Sequence, residues 1–160
     1  MITAAYAQTI NGTISLENFS PIQISNKDAL HLTHKIRTNH DAILVGINTI
    51  LTDNPRLTAR SVQGSQPQPC IIDTHLRCDT SKNIFQHEKK PWIFTASDDL
   101  KKIQTIKNAG GTVFQIKKTK KNLLDLNQII VLLEKKNIKS LLIEGGRTIL
   151  TQFLEEKLID

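Results

Sequence analysis

Short apolar runs separated by stretches of helical periodicity constrain this chain more than any other feature. The runs are Ala42-Ile-Leu-Val-Gly46, Cys70-Ile-Ile-Asp73, Pro91-Trp-Ile-Phe-Thr95 and Ser140-Leu-Leu-Ile-Glu144. Each has the length of a strand, and its unbroken apolar character calls for burial on both faces, as in a parallel sheet. Ile2 to Ile10 reads as a first strand closed by the turn pair Asn11-Gly12, and Thr112 to Ile116 as another. Between the runs, Asn26 or Ser25 caps a helix to about Thr38, with Ala29, Leu32, Lys35 and Ile36 at helical spacing. Asn48 to Asp53 forms a short helix ended by Asn54-Pro55. Asp98 or Asp99 caps a helix that stops at Gly110-Gly111, Leu124 to Lys136 is amphipathic, and Gly145-Gly146 opens a helix through Leu154. Gly64 to Pro69 is a polar loop. The alternation predicts an α/β fold: one domain over residues 1–160, with a mostly parallel central sheet and helices on both faces. In such sheets ligands bind at the carboxyl ends of the strands.

Composition narrows the function classes. With 160 residues and 39% hydrophobic content the chain can bury a core. No apolar run approaches the roughly 18 residues that span a bilayer, and the first residues lack the pattern of an export signal, so a cytoplasmic protein is expected. Cys70 and Cys78 are the only cysteines. Without a second pair they make no zinc cluster, and reduced thiols are expected. His31-x-x-His34 lies on one helical turn without a third ligand nearby, so it reads as a solvated helix face, and no metal is expected. A formal charge of +6 favours anionic ligands. Lys117-Lys-Thr-Lys-Lys121 has no interleaved aromatics and reads as a solvated loop rather than a nucleic-acid surface. Trp92, in an apolar strand, reads as core.

Four strand ends carry residues with chemistry. Thr9-Ile-Asn-Gly12 is either an ordinary turn or part of a site. After Ala42–Gly46, Gly46 permits close backbone approach, Thr49 offers a hydroxyl and Asp53 a carboxylate, while Arg37, Arg56 and Arg60 have forks that suit phosphate oxygens. Asp73-Thr74 is a turn or a ligand contact. At Ile143-Glu-Gly-Gly-Arg-Thr148 a strand feeds two glycines and then a helix, which leaves N–H groups at the positive end of the helix dipole. That is a diphosphate cradle, with Arg147 and Thr148 as further donors. Glu144 sits awkwardly beside bound phosphate unless it touches another part of the ligand.

The segments Ala7-Gln-Thr-Ile-Asn-Gly12, Arg37 with Asp41 through Arg60, Ile72-Asp-Thr74 and Leu142 to Thr148 occur in one order. Together they resemble the reductase half of the bacterial bifunctional pyrimidine deaminase–reductases of riboflavin synthesis, over nearly the whole chain. The resemblance implies a dihydrofolate-reductase-like fold and the NADPH-dependent reduction of the ribose of 5-amino-6-(5-phosphoribosylamino)uracil. It implies that Ala7, Thr49, Asp53, Thr74 and the run Gly146, Arg147, Thr148, Ile149, Leu150, Thr151 and Gln152 contact the cofactor. It assigns Arg37, Leu57, Arg60 and Glu144 to the phosphorylated substrate, the two arginines to its phosphate, and Asp53 and Glu144 to catalysis. A homodimer is implied, with a deaminase attached or separate, and no nucleic-acid or membrane partner.

The chain departs from the family pattern at three places. The first-strand lysine is Ala5, a Ser-x-Trp-Ile segment appears as Pro21-Ile22-Gln23-Ile24-Ser25, and a Ser-Leu-Asp-Gly turn is Thr9-Ile10-Asn11-Gly12. The sequence stops at Asp160 where the family continues, so the domain is expected to be short of its C-terminal strands. Two alternatives stand beside the reductase: a related reductase acting on a pterin or another pyrimidine, and a catalytically silent nucleotide-binding module.

Overall fold

The computed structural model describes residues 1–14 and 24–160. The departure at Pro21-Ile22-Gln23 lies outside the described residues. In chain order the elements are β1 (Ile2–Ala4), α1 (Lys27–Thr38), β2 (Ala42–Gly46), α2 (Ile47–Asp53), β3 (Gln68–Ile72), a 3-10 turn (Asn83–Gln86), β4 (Trp92–Thr95), α3 (Leu100–Asn108), β5 (Thr112–Gln115), α4 (Leu126–Lys135), β6 (Leu141–Ile143) and α5 (Arg147–Glu155). The strands form one six-stranded sheet in the order β1-β6-β2-β3-β4-β5. All of its pairings are parallel.

Period-two alternation turns the apolar runs into two cores. Ile43, Val45, Ile71, Ile93 and Leu142 face one side, where they meet Ile36 of α1, Ile50 of α2 and Ile106 of α3. Ala42, Leu44, Cys70, Ile72, Phe94 and Ile143 face the other, against Ile129 and Leu133 of α4 and Ile149, Leu150 and Phe153 of α5. The helices therefore cover both faces of the sheet. Both cysteines are free and buried, and burial pushes the Cys78 thiol up to about 12.

Three local expectations change. The first strand ends at Ala4 instead of Ile10, and Tyr6 and Ile10 are exposed. Its partner explains this: β6 has only three residues before the chain turns into α5, so pairing stops once Ala5 N–H has reached Ile143 O at 2.9 Å. The solvated-face reading of His31-x-x-His34 holds for His31 alone. His34 is buried beneath the segment after α2, and its Nδ1 accepts the Ser61 N–H at 3.4 Å. Trp92 is half-buried rather than core, with its ring edge-on to Phe114 at 5.6 Å.

Candidate active site

Helix caps separate the structural helices from those that face a ligand space. Asn26, Asp99 and Asp125 cap α1, α3 and α4 by accepting a backbone N–H in the first turn. The helices that leave β2 and β6 begin instead at Gly46 and Gly146, with no side-chain cap. Their first N–H groups are left for another partner. The two starts are packed together. A Cβ on Gly145 would lie 3.0 Å from both Gly46 N and Val45 Cα, so only glycine lets these strand ends touch backbone to backbone. Gly146 N–H then donates to Thr49 Oγ1 at 3.3 Å, joining the head of α5 to α2.

Above these starts lies a cavity of about 400 Å³. Thr49, Asp53, Thr74, Gly146, Arg147, Thr148, Ile149 and Gln152, which the family resemblance assigns to the cofactor, line it together. Leu150 does not; it is buried in the core against the sheet. Ala7 and Thr151 are exposed and outside the lining. Asp53 is exposed overall, but partial desolvation of its carboxyl against the cavity wall pushes it above the usual carboxylate range. Gln152 is buried, and its amide donates to Leu124 O at 2.9 Å, tying α5 to the segment before α4.

Asn48, Thr52 and Arg77 also line the cavity and were not picked out from the sequence. Arg77 Nη2 donates to Asn48 Oδ1 at 2.7 Å. A signal for Arg77 existed, since it follows the strand-end pair Asp73-Thr74 by three residues. Leu123 and Leu124 also reach the cavity, from a loop far along the chain, and no local pattern marks them.

The residues assigned to the substrate gather at the end of β6 and over α1. Arg37 Nε and Nη2 donate to Glu144 Oε1 and Oε2 at 2.8 and 2.6 Å, and Nη1 donates to Thr58 O at 2.8 Å. The side chains are only 11% and 12% exposed. Arg37 is thus spent on Glu144 and the backbone, which also answers the electrostatic oddity of Glu144: its charge is met by Arg37. Arg60 is exposed and makes one long contact, to Thr58 Oγ1 at 3.5 Å, so its fork is open. Leu57 is buried and in the left-handed region at φ 53°. A non-glycine residue rarely adopts that conformation, and such strain tends to persist at functional loops. The loop is anchored by Asn54, whose Oδ1 accepts the Asn83 N–H and whose carbonyl accepts from Asn83 Nδ2, both at 2.9 Å. Burial, then the nearby Arg37, Arg60 and His31, hold the His34 imidazole below its ordinary range, as expected beside a cationic patch.

Among the described residues no group of three or more His, Cys, Asp or Glu is arranged to hold a metal, and no helix is long and apolar enough to cross a membrane.

A family model described as the RibD C-terminal domain matches residues 1–160. The chain belongs to this family. The riboflavin biosynthesis protein RibD of Aquifex aeolicus is 32% identical over 99% of the chain, which spans 44% of that protein. The 2,5-diamino-6-ribosylamino-4(3H)-pyrimidinone 5′-phosphate reductase of Saccharomyces cerevisiae is 33% identical over 96% of the chain, which spans 65% of the yeast protein. The solved structure of Acinetobacter baumannii RibD superimposes with a TM-score of 0.84 at 22% identity, covering 99% of this chain and 43% of that one. This chain therefore spans less than half the length of the RibD proteins it matches. Its fold is that of the RibD-type reductase domains, which are dihydrofolate-reductase-like.

Proposed function

We propose that this RibD C-terminal domain is an NADPH-dependent reductase of riboflavin biosynthesis that converts the ribose of 5-amino-6-(5-phosphoribosylamino)uracil to the ribityl chain. One observation carries the reading. Two uncapped helix starts, joined through Thr49 and Gly146, open into a single cavity at the carboxyl ends of adjacent parallel strands. That cavity falls within the roughly 300–1,000 Å³ typical of ligand and cofactor sites. A nucleotide diphosphate suits it, because unsatisfied N–H groups and the helix dipole both favour an anion there. Gly146 also leaves room for close approach: a Cβ there would meet only Thr49 Oγ1, at 3.6 Å.

NADPH, when bound, supplies the hydride. The residues supply position. Gly146, Arg147 and Thr148 hold the diphosphate, while Thr49 and Thr74 contribute hydroxyls. Asp53, with its raised pKa, lines the same cavity and would serve as the carboxyl of the reaction. Arg60 holds the substrate phosphate through its open fork. Arg37 fixes the Glu144 carboxylate, which then hydrogen-bonds the sugar or pyrimidine. Alignment against C1′ of the opened ribose is the domain's main catalytic contribution. A homodimer, a deaminase attached or separate, and a cytoplasmic site of action belong to the same proposal.

A second reading concerns the order of steps. The yeast relative is named for the diaminopyrimidinone 5′-phosphate, the compound before deamination, which favours that substrate as an alternative. Oxidation of NADPH followed by absorbance, with the uracil and diaminopyrimidinone phosphates side by side, tests both. Turnover of the uracil supports the first reading, and preference for the diaminopyrimidinone the second. Turnover of dihydrofolate or another pterin instead would set both aside.

A further inference from the structure

We infer that the segment from Asn83 to Lys89 is a strap that positions Arg60 for the substrate phosphate, with Asn83 and Lys89 as its anchors. This rests on the assignment of the phosphate to Arg60 in the proposed function. The segment begins with the 3-10 turn after β3 and runs toward β4, outside the cavity and outside every stretch that carries the family resemblance. What it touches is the loop between α2 and β3, residues 54–67, which carries Leu57 and Arg60. Local preference does not give that loop its shape. Asn54 and Leu57 both sit in the left-handed region, at φ 44° and 53°. Asparagine tolerates that conformation, but for leucine it carries a cost that the surrounding structure must offset.

The strap grips the loop at both ends. At the start, Asn83 N–H donates to Asn54 Oδ1 and Asn83 Nδ2 donates to Asn54 O, both at 2.9 Å. At the far end, Lys89 Nζ donates to Gln66 O at 2.6 Å, and Gln66 Oε1 in turn accepts the Ala59 N–H at 2.7 Å. Between the anchors His87 is buried with its ring beside the Leu57 backbone, and its Nδ1 accepts the Lys89 N–H at 3.0 Å. Ala59, the residue before Arg60, is wholly buried. On the other side of Arg60, the Ser61 N–H donates to His34 Nδ1 at 3.4 Å. The backbone is therefore fixed on both sides of Arg60, while its guanidinium stays exposed with one long contact. An arginine that closes on a phosphate loses side-chain and loop freedom. A backbone already set in place lowers that cost, and so tightens binding without touching the ligand.

The test is steady-state kinetics of the whole chain with 5-amino-6-(5-phosphoribosylamino)uracil and with its dephosphorylated nucleoside, alongside NADPH binding by calorimetry. The proteins compared are the wild type, Asn83→Ala, Lys89→Met, Lys89→Arg and Arg60→Ala. Asn83→Ala and Lys89→Met should each raise KM for the phosphorylated substrate by about fivefold, the size expected for one net hydrogen bond. Both should leave kcat, KM for the nucleoside and NADPH affinity unchanged, because the loop lies outside the cofactor cavity. Lys89→Arg keeps the donor and should stay near wild type. Lys89 is exposed, so Lys89→Met remains folded and informative even where Asn83→Ala is not. A fall in kcat and NADPH affinity as large as the change in KM would make the segment a part of the general fold and overturn the assignment. Equal losses in Lys89→Met and Lys89→Arg would overturn it too. Unchanged KM in both anchor variants, with Arg60→Ala raising it, would remove the strap and leave Arg60 at the phosphate. If Arg60→Ala itself leaves KM unchanged, or the wild type turns over neither compound, the substrate reading fails and takes the strap with it.

Discussion

Arg37 on α1 and Glu144 at the end of β6, 107 residues apart in sequence, form a two-pronged ion pair with N···O distances of 2.8 and 2.6 Å. Both side chains are nearly out of solvent. Removing one partner strands the other's charge, which for a buried pair typically costs about 3–5 kcal/mol, whereas replacing both with apolar residues of similar volume is often close to neutral. Urea unfolding should therefore show Arg37→Met and Glu144→Leu each strongly destabilised, with the double variant recovering most of the loss. Simple additivity of the two losses would mean that the pair is not a coupled unit.

Neighbouring glycines should respond differently. Gly145→Ala drives a methyl to 3.0 Å from the backbone of β2, so the strand ends must separate. Overpacking of this kind costs about 1–3 kcal/mol and should appear as a lowered melting temperature. Gly146→Val has room in the ligand-free fold and lacks a positive φ, so its stability should stay near wild type. NADPH affinity should instead fall by about tenfold or more, because the side chain occupies the approach to the diphosphate cradle. A folded Gly146→Val protein with unchanged affinity would move the cofactor elsewhere.

Much of this architecture is legible in the sequence, because buried parallel strands are apolar on both faces and their boundaries are marked by turn residues. Ala42–Gly46 is read to the residue, and the caps Asn26 and Asp99 are among those proposed. The first strand is misread because its length depends on β6, whose end is fixed by Gly145-Gly146 far along the chain. His34 is misread for a similar reason, since the loop that buries it is not local to α1. In the site, strand ends point to the cavity because parallel sheets open there, so Thr49, Asp53, Thr74 and Gly146 converge. The pairing of Arg37 with Glu144 is not readable. Two charges in separate motifs each suggest a ligand contact, and only the tertiary geometry shows them facing one another.

Acid should destabilise the fold below the ordinary histidine range. Burial chiefly holds His34 and His87 below that range, and the Nδ1 atoms accept N–H bonds from Ser61 and Lys89, which a protonated ring cannot do. For a base with a lowered folded pKa, the unfolded chain takes up protons first. Stability is therefore full above the unfolded value of about 6.5 and is lost as the pH falls below it. Asp41 acts lower in pH. Burial opposes its ionisation, but N–H bonds from Lys139 and Ser140 and the Ser140 hydroxyl hold its carboxyl below the usual range. Its contribution is present above the unfolded value of about 3.9 and is lost as the pH falls through the lower folded value. Urea unfolding across this range should show the histidine decline, and His34→Asn should flatten it. An unchanged slope in that variant would remove His34 from the account.

Asp53→Asn separates a working carboxylate from a helix-end residue. Asp53 is the last residue of α2, is exposed overall and lines the cavity, where partial desolvation holds its carboxyl above the usual range. No hydrogen bond to its side chain supports the fold among the described residues, so stability should change by less than about 0.5 kcal/mol, as for an ordinary surface substitution. Turnover should fall sharply. Wild-type kcat with wild-type melting would assign Asp53 no part in the reaction.

The most direct test of the central claim is steady-state NADPH oxidation by the purified 160-residue chain with 5-amino-6-(5-phosphoribosylamino)uracil. The proposal predicts saturable turnover that produces the ribitylamino compound. It also predicts that Arg60→Ala raises KM for this substrate by about tenfold or more while leaving NADPH affinity unchanged, as expected for loss of a phosphate fork. NADPH binding without oxidation, in the presence of either the uracil or the diaminopyrimidinone phosphate, would contradict the claim and leave a nucleotide-binding domain without reductase activity.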